Sequence, residues 1–358
     1  MLDYFKSLLG AGSCLGVDIG TTSVKMAEIG MKSGKPTLLN YGILETHGHL
    51  KRLNDAIQTS SLQIESKETA ELLRELVSKA GFKATEVIAS LPAFSAFVTL
   101  LEFPTMSEAD MKKALKFQIP QYIPLSPEEM NIDWLKIGDI EDEKGIIKQQ
   151  ILLISVPNDR IRRYQEIFKL ANLRLKMLEV ETLSLVRVLS ADVAEPALIV
   201  DIGSRSTNII ITEKGSLRHS AQTEFAGASL TQAVANGLGI DAKRAEEIKK
   251  QRGLLVRGAE YELSTLTLPY LDAIIGEVRR VKASFEKNPN AKISQVILAG
   301  GGANLLGIDR YFEEQLGLKT SIGNPFERVG FSPQLELFIK ELGPLLGVAI
   351  GLGTKEFI

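Results

Sequence analysis

Two short segments of this 358-residue chain carry the residue types that phosphate chemistry needs. Asp18-Ile19-Gly20-Thr21-Thr22-Ser23 and Asp201-Ile202-Gly203-Ser204-Arg205-Ser206 agree at four of six positions, and each joins two apolar runs. A tight glycine hairpin exposes backbone N–H groups that cradle phosphate oxygens. Thr21, Thr22 and Ser204 add hydroxyl donors. Asp18 and Asp201, at strand ends, suit a magnesium ion held through its waters, because magnesium keeps much of its hydration shell. Lys25, just inside the returning strand, reaches a terminal phosphate as a point charge. Either copy alone is also a common way to end a strand. A third element, Gly300-Gly301-Gly302 between a strand and a helix, lets a flat ring lie against bare backbone or forms a simple tight turn. In a fourth, Glu246 and Lys249 share one helical face, where they bond a ribose or belong to a solvated charged surface over 243–252. Taken together and in this order, the four elements specify a nucleotide site. No Gly-x-x-x-x-Gly-Lys-Ser/Thr loop occurs, so the P-loop route is excluded.

Composition narrows the class further. Apolar residues are 44% and charged residues 24%, ordinary for a globular protein. Acidic and basic residues nearly balance, for a net charge of −2, so bulk charge gives no reason to expect nucleic acid. One cysteine excludes an internal disulfide framework and a cysteine-rich zinc module. Three histidines leave little for a zinc site, and His47 and His49 flank a glycine in a polar stretch that reads as a loop. The most apolar run, 343–353, is about half the ~20 residues a bilayer helix needs. Leu2, Phe5, Leu8 and Leu9 form a short amphipathic stripe expected to dock on the protein's own core. A cytoplasmic protein is the expectation.

The elements that must position these residues alternate between strand and helix. Strands are expected at 15–19, 24–29, 86–91, 150–156, 198–201, 209–212 and 293–298. Leu72, Leu73, Leu76, Val77 and Ala80 make a helical stripe with Gly81 at its C-terminal cap. Between them lies a stretch that reads as an insertion: extended over 94–103, a capping box at Ser107–Asp110, a helix to Pro120, and a turn-rich segment marked by Pro120, Pro124 and Pro127. A charged hairpin tip follows at 139–144, then a helix capped by Asp159. Further helices are expected at 229–236, 242–251, 270–287 and 305–316, with a last one starting at Pro344.

This arrangement resembles the superfamily of actins, heat-shock chaperones and sugar kinases. The resemblance implies a duplicated ribonuclease-H-like α/β fold with ATP and magnesium between two halves. It places Asp18, Gly20, Thr21 and Lys25 on the first phosphate motif, Asp201, Gly203 and Ser204 on the second, and Gly300 to Gly302 on the adenosine motif. Glu246 and Lys249 resemble the ribose contacts of bacterial actins. Leu91-Pro92, Phe103-Pro104-Thr105-Met106-Ser107-Glu108, Gln121-Tyr122-Ile123-Pro124, Ala171-Asn172-Leu173 and Glu179-Val180-Glu181, with Asp201 to Asn208 and Gly215-Ser216-Leu217-Arg218, are similar to the PilM family of type IV pilus machines. That family is related to the FtsA division proteins, whose inserted subdomain replaces an actin subdomain.

The likeness implies a first half at 1–96, 177–193 and 343–358, an inserted subdomain at 97–176, and a second half at 194–342. It implies a cytoplasmic ATP-binding scaffold, peripheral to the inner membrane through its partners: the N-terminal cytoplasmic tail of PilN and other inner-membrane pilus components. The tail is expected between the first half and the insertion, where Phe97, Phe117, Tyr122 and Ile123 line a groove or form the insertion's own core. Glu181 falls near the water-orienting glutamate of the chaperones or simply opens a helix, so ATP hydrolysis is expected to be slow or absent. Arg205 replaces a glycine common in the second phosphate loop and contacts phosphate or points to solvent. A small-molecule kinase of the same fold, an FtsA-like division scaffold and a type II secretion scaffold are the alternatives. FtsA proteins usually continue into a membrane-binding helix, which favours the PilM side.

Overall fold

The computed structural model describes residues 12–46, 66–118, 121, 126–141, 145–254, 261–288 and 291–358. The apolar run ending at Asp18 forms β1 (Cys14–Ile19), buried along its whole length as a strand covered on both faces must be. β2 (Ser23–Lys32) and β3 (Lys35–Glu45) return antiparallel, while β4 (Glu86–Leu91) and β8 (Arg174–Val180) continue parallel, in the order β3-β2-β1-β4-β8. The run ending after Asp201 repeats this plan. β9 (Ala197–Ile202), β10 (Thr207–Glu213), β11 (Ser216–Thr223), β12 (Gln295–Ala299) and β13 (Lys319–Ile322) form the order β11-β10-β9-β12-β13 with the same pairing directions. Even the second hairpins agree: two-residue turns at Ser33–Gly34 and Lys214–Gly215 place both residues left-handed, which suits the twist of the flanking strands. The fourth strand of each sheet runs into a 3₁₀ turn, Ala93–Ser95 in one and Gly301–Asn304 in the other. A six-residue similarity in the sequence is thus the visible tip of a whole duplicated half.

Between β4 and β8 the chain leaves the first sheet. β5 (Phe97–Pro104), α2 (Glu108–Gln118), β6 (Met130–Glu141) and β7 (Ile147–Pro157) build an antiparallel sheet β5-β7-β6 with one helix. Its core is Leu101, Phe103, Met111, Leu115, Met130, Ile151 and Leu153. The N-cap half of the expected capping box is present: the Asp110 N–H donates to Ser107 Oγ at 3.2 Å, while the Ser107 hydroxyl donates to Asp110 Oδ2. α3 (Asn158–Leu170) follows at once and joins α1 (Ser66–Ala80) on the first sheet, where Tyr164, Ile167 and Phe168 enter the same core as Val17, Leu73 and Leu91. The excursion therefore ends at Pro157. Residues 158–176, expected in the insertion, belong to the first half, because α3 packs on its face and β8 pairs at its edge. Pro157 occupies the N-cap of α3, and Asp159, expected there, lies in the first turn, where its charge complements the helix dipole. The segment around Phe94, expected to be extended, is the tight turn before β5.

The inserted sheet touches both halves. Leu152 shares a core with Ile210 and Leu217 of the second half, and Arg218 Nη1 donates to Gln150 Oε1 while its Nε lies 3.0 Å from Glu213. The second half is completed by α5 (Gly227–Leu238), α6 (Ala242–Arg252), α7 (Tyr261–Phe285) and α8 (Ile308–Leu316). α4 (Glu181–Leu189) and α9 (Ile339–Gly353) cross between the two sheets. α9 starts upstream of the expected Pro344, since Leu342 N–H already bonds the Phe338 carbonyl at 2.8 Å and a proline near a helix start removes only one bond. α7 likewise runs through Pro269 from Tyr261, not from Tyr270. α8 starts at Ile308, after the glycine turn. The 2–9 stripe, His47 and His49 lie outside the described residues. Among the described residues no helix is long and apolar enough to cross a membrane.

Candidate functional site

The two glycine loops close by the same bond: Gly20 N–H donates to the Ser23 carbonyl and Gly203 N–H to the Ser206 carbonyl, each at 3.0 Å. Register then fixes what faces each aspartate. In the first hairpin Asp18 stands opposite Lys25, whose Nζ lies 3.3 Å from Oδ2, and Ser90 at the end of β4 donates to Oδ1 at 2.9 Å. In the second, Asp201 stands opposite Asn208, which donates to Asp201 Oδ2 at 3.1 Å and to Glu181 Oε1 at 2.9 Å. Glu181 opens α4 and also accepts the Ala93 N–H at 3.0 Å, so the turn after β4 and the second hairpin hold one carboxylate between them. Burial pushes Glu181 well above the usual carboxylate range, and the neighbouring Asp201 and Asp18 charges add to this against the two hydrogen bonds. Asp201 is also raised, first by burial and further by Asp18, with Asn208 and Lys25 opposing. Asp18, Asp201 and Glu181 thus act on one another as charges, while Lys25 offsets Asp18 and Asp201. That imbalance, in an all-oxygen donor set, is what a hydrated divalent cation neutralises. Asn208 Oδ1 is buried without a hydrogen-bond partner and is free to accept from a ligand or water. Among the described residues no three His, Cys, Asp or Glu side chains are grouped so as to hold a metal ion directly.

This electrostatic load has a testable sign. A carboxyl group raised in the folded state contributes stability that is present below its unfolded pKa and is lost as pH rises through its folded one. The nucleotide-free protein should therefore lose stability from the ordinary carboxylate range upward. Glu181→Gln keeps an acceptor for Ala93 and Asn208 but cannot charge. It should raise the melting temperature above neutral pH, by about 1–2 °C for each kcal/mol relieved, and flatten its pH slope. A slope identical to that of the parent protein would remove Glu181 from the account.

The glycine triplet lies directly behind the second loop. Gly300 has φ +76, and a Cβ there would sit 2.5 Å from Asp201 Oδ1 and 2.5 Å from the Ile202 carbonyl, so only glycine fits. Gly301 faces more open space, with Leu345 Cδ2 at 3.5 Å. The second loop is fastened to the start of α5 by Gly227 N–H to the Gly203 carbonyl (3.0 Å) and Ala228 N–H to the Ser204 carbonyl (2.7 Å). Lys249 reaches the same place: its buried ammonium bonds the Gly227 carbonyl at 3.1 Å, Thr231 Oγ1 at 2.8 Å and Glu246 Oε2 at 2.6 Å. Burial alone would raise Glu246, but Lys249, Thr231 and Lys250 outweigh it and hold its carboxyl below the usual range. Lys249 is pushed down by burial despite Glu246. Lys250 extends to Glu45 of the first half at 3.9 Å, close to the Thr46 backbone that bonds the Thr22 carbonyl at 2.8 Å.

Of the sequence-derived residues, the structure sets Asp18 against Lys25, packs Asp201 on the glycine triplet at Gly300, and brings Lys249 with Glu246 to the start of α5, to which the loop of Gly203 and Ser204 is fastened. Arg205 is exposed. Of the groove residues, Phe97 is exposed on β5, the side chain of Phe117 is not described, and Tyr122 and Ile123 lie outside the described residues. Sequence reasoning missed Ser90, Asn208 and Tyr164. The repeat itself held a signal for Asn208, since it follows Asp201 by the same seven positions that separate Lys25 from Asp18.

The sequence model of the family described as type IV pilus assembly protein PilM matches residues 16–357. Among solved structures, the chain resembles the PilM-PilN type IV pilus biogenesis complex at TM-score 0.82 and 22% identity, covering 96% of this chain and 98% of that one. MreB5 of Spiroplasma citri bound to ADP aligns at TM-score 0.53 and 14% identity over 96% of each chain. The cell division protein FtsA of Enterococcus hirae is 20% identical, over 88% of this chain and 78% of its own length. The actin-like fold is common to these neighbours.

Proposed function

Because the chain belongs to the type IV pilus assembly PilM family, we propose that it is an ATP-binding scaffold whose cleft is read by a partner peptide docked beside the inserted sheet. The observation that carries the nucleotide half of this reading is the pair of matched hairpins, which set Asp18 against Lys25 and link Asp201 to Glu181 through Asn208. Magnesium, when bound, would neutralise polyphosphate charge. Asp18 and Asp201 would hold its waters, the loop amides with Thr21, Thr22 and Ser204 would bond phosphate oxygens, and Gly301 would leave room for the base. Glu246 and Lys249 would meet the ribose. Most of these groups bind ground state and transition state alike, which gives affinity without rapid turnover. Glu181 would orient a water, and burial holds it protonated near neutral pH, so it accepts no proton until a cation lowers its pKa.

For the partner half, the support is the PilM-PilN neighbour together with exposed Phe94 and Phe97, which lie where the first half gives way to β5. The partner read by this chemistry is the N-terminal cytoplasmic tail of PilN, and its membrane protein would hold the scaffold at the inner membrane. Because the inserted sheet rests on both halves, closure of the cleft must alter the docking surface. Calorimetry of each ligand in the presence of the other tests this. ATP and the tail peptide should strengthen each other's binding by the same factor. Independent binding would show that the docking surface does not report nucleotide state.

A further inference from the structure

α5 and α6 form a helix pair joined only by Gly239, Ile240 and Asp241. Gly239 is left-handed and ends α5, while Asp241 accepts the Arg244 N–H at 3.0 Å and starts α6. Val234, Ala235 and Ala245 pack the two helices together. The chain therefore doubles back, and Lys249, late in α6, returns level with Gly227, the first residue of α5. The end of α6 is itself fixed. The Leu254 N–H donates to the Leu306 carbonyl at 2.7 Å, just beyond the glycine turn of Gly301–Asn304.

A lysine ammonium has three protons and no acceptor. At Lys249 all three have partners: the Gly227 carbonyl at 3.1 Å, Thr231 Oγ1 at 2.8 Å and Glu246 Oε2 at 2.6 Å. Lys249 is buried, and a buried charge gives up such partners only at a cost. It has no proton to spare for a ribose hydroxyl. The pair therefore meets the ribose through Glu246, whose Oε1 faces the exposed Lys250 at 3.7 Å.

What Lys249 holds is the start of α5, and α5 in turn shapes the second glycine loop. The Gly227 and Ala228 N–H groups, which the first turn of a helix leaves unpaired, donate to the Gly203 and Ser204 carbonyls. Across a trans peptide the carbonyl oxygen and the next N–H point in opposite directions. Anchoring these two carbonyls on α5 therefore turns the Ser204 and Arg205 N–H groups away from it. Among the described residues neither N–H has a backbone acceptor. Two successive free amides make a concavity that binds anions.

We propose that Lys249 is a positioning residue for the second phosphate loop: through Gly227 it keeps the Ser204 and Arg205 amides in the arrangement that binds nucleotide phosphate. This rests on the nucleotide reading above and deepens it.

Two measurements on the full chain compare the parent protein with Lys249→Met and with Thr231→Val. The second variant removes the hydroxyl that accepts from Lys249 and bonds the Gly227 carbonyl. Amide hydrogen exchange without ligand reads the anchoring itself. Exchange at Gly227 and Ala228 should speed up at least tenfold in Lys249→Met, and less in Thr231→Val, with the amides of β9 and β10 unchanged. Unchanged exchange at Gly227 and Ala228 overturns the proposal. Titration with magnesium-ATP, its 2′,3′-dideoxy analogue and adenosine then separates the roles. Lys249→Met should weaken both triphosphates by the same factor, at least tenfold or about 1.4 kcal/mol, and adenosine less than about twofold. Thr231→Val should give the same pattern at smaller size, and it supplies the reading if Lys249→Met does not fold. A loss for ATP and adenosine that spares the dideoxy analogue overturns the proposal and makes Lys249 a direct ribose contact. Equal losses for all three ligands overturn it as well, since they mark a general disturbance of the site. A parent protein that binds none of the three overturns the nucleotide reading and this proposal with it, a result distinct from those above.

Discussion

Asp201→Ala is expected to weaken magnesium-dependent ATP binding at least tenfold, more than about 1.4 kcal/mol, while leaving the fold intact. The side chain lies between the second hairpin and the glycine triplet: its Oδ2 accepts from Asn208, and its Oδ1 is pressed against Gly300. Removing it takes away one of the two carboxylates that would hold the waters of a magnesium ion, so polyphosphate charge is left poorly neutralised. The fold should survive because Asn208 keeps Glu181 as an acceptor and because a desolvated charge has been removed. Asp18→Ala should weaken binding comparably but with some loss of stability, since Lys25 and Ser90 both lose their acceptor. Calorimetry with and without magnesium separates metal-dependent affinity from the rest. Unchanged affinity in a folded Asp201→Ala protein would sink the cleft assignment.

The second large effect is structural. A Cβ at Gly16 would stand 1.8 Å from the Ala349 carbonyl oxygen and 2.6 Å from Gly353 N, both backbone atoms of α9. Backbone in the middle of a helix cannot turn aside as a flexible side chain does, so Gly16→Ala must push α9 off β1. The same helix meets α4 at Gly351, where a Cβ would lie 2.3 Å from the Ser184 carbonyl. Overpacking a core commonly costs 1–3 kcal/mol, and a backbone clash belongs at or beyond the upper end, so a loss of about 3 kcal/mol or more is expected. For a chain of this length that corresponds to a drop in melting temperature of roughly 4 °C or more. A Gly16→Ala protein that melts with the parent would mean that α9 does not lie on β1.

Gly16 also illustrates what a single sequence withholds. The strand that contains it is legible, because a run of buried apolar residues ending in Asp-Ile-Gly has few other readings. That this glycine admits a helix from the far end of the chain is not, since nothing near residue 16 names its partner. The same distinction holds across the cleft. Gly20, Gly203 and the glycine triplet could be placed because their chemistry is local to a turn. Ser90 and Tyr164 could not, as they reach Asp18 and its neighbours only through strand pairing and helix docking. Asn208 lay between these cases, visible to anyone who carried the repeat one strand further. The boundary of the insertion failed for a related reason: composition does not change at Pro157, and only sheet membership shows that α3 and β8 return to the first half.

The position of α9 has a consequence for how the protein is made. All five strands of the second sheet fall within 197–322, so that half can assemble as soon as this stretch leaves the ribosome. The first sheet is in a different position. Its strands are synthesised early, yet the helix that covers β1 and β2 is translated after every strand of both sheets. Until then the buried faces of Ala27 and Ile29 lack their cover, and long-range closure of this kind is slow. The nascent chain must therefore carry an unfinished first half past a finished second one. Any site that needs both halves comes into being last.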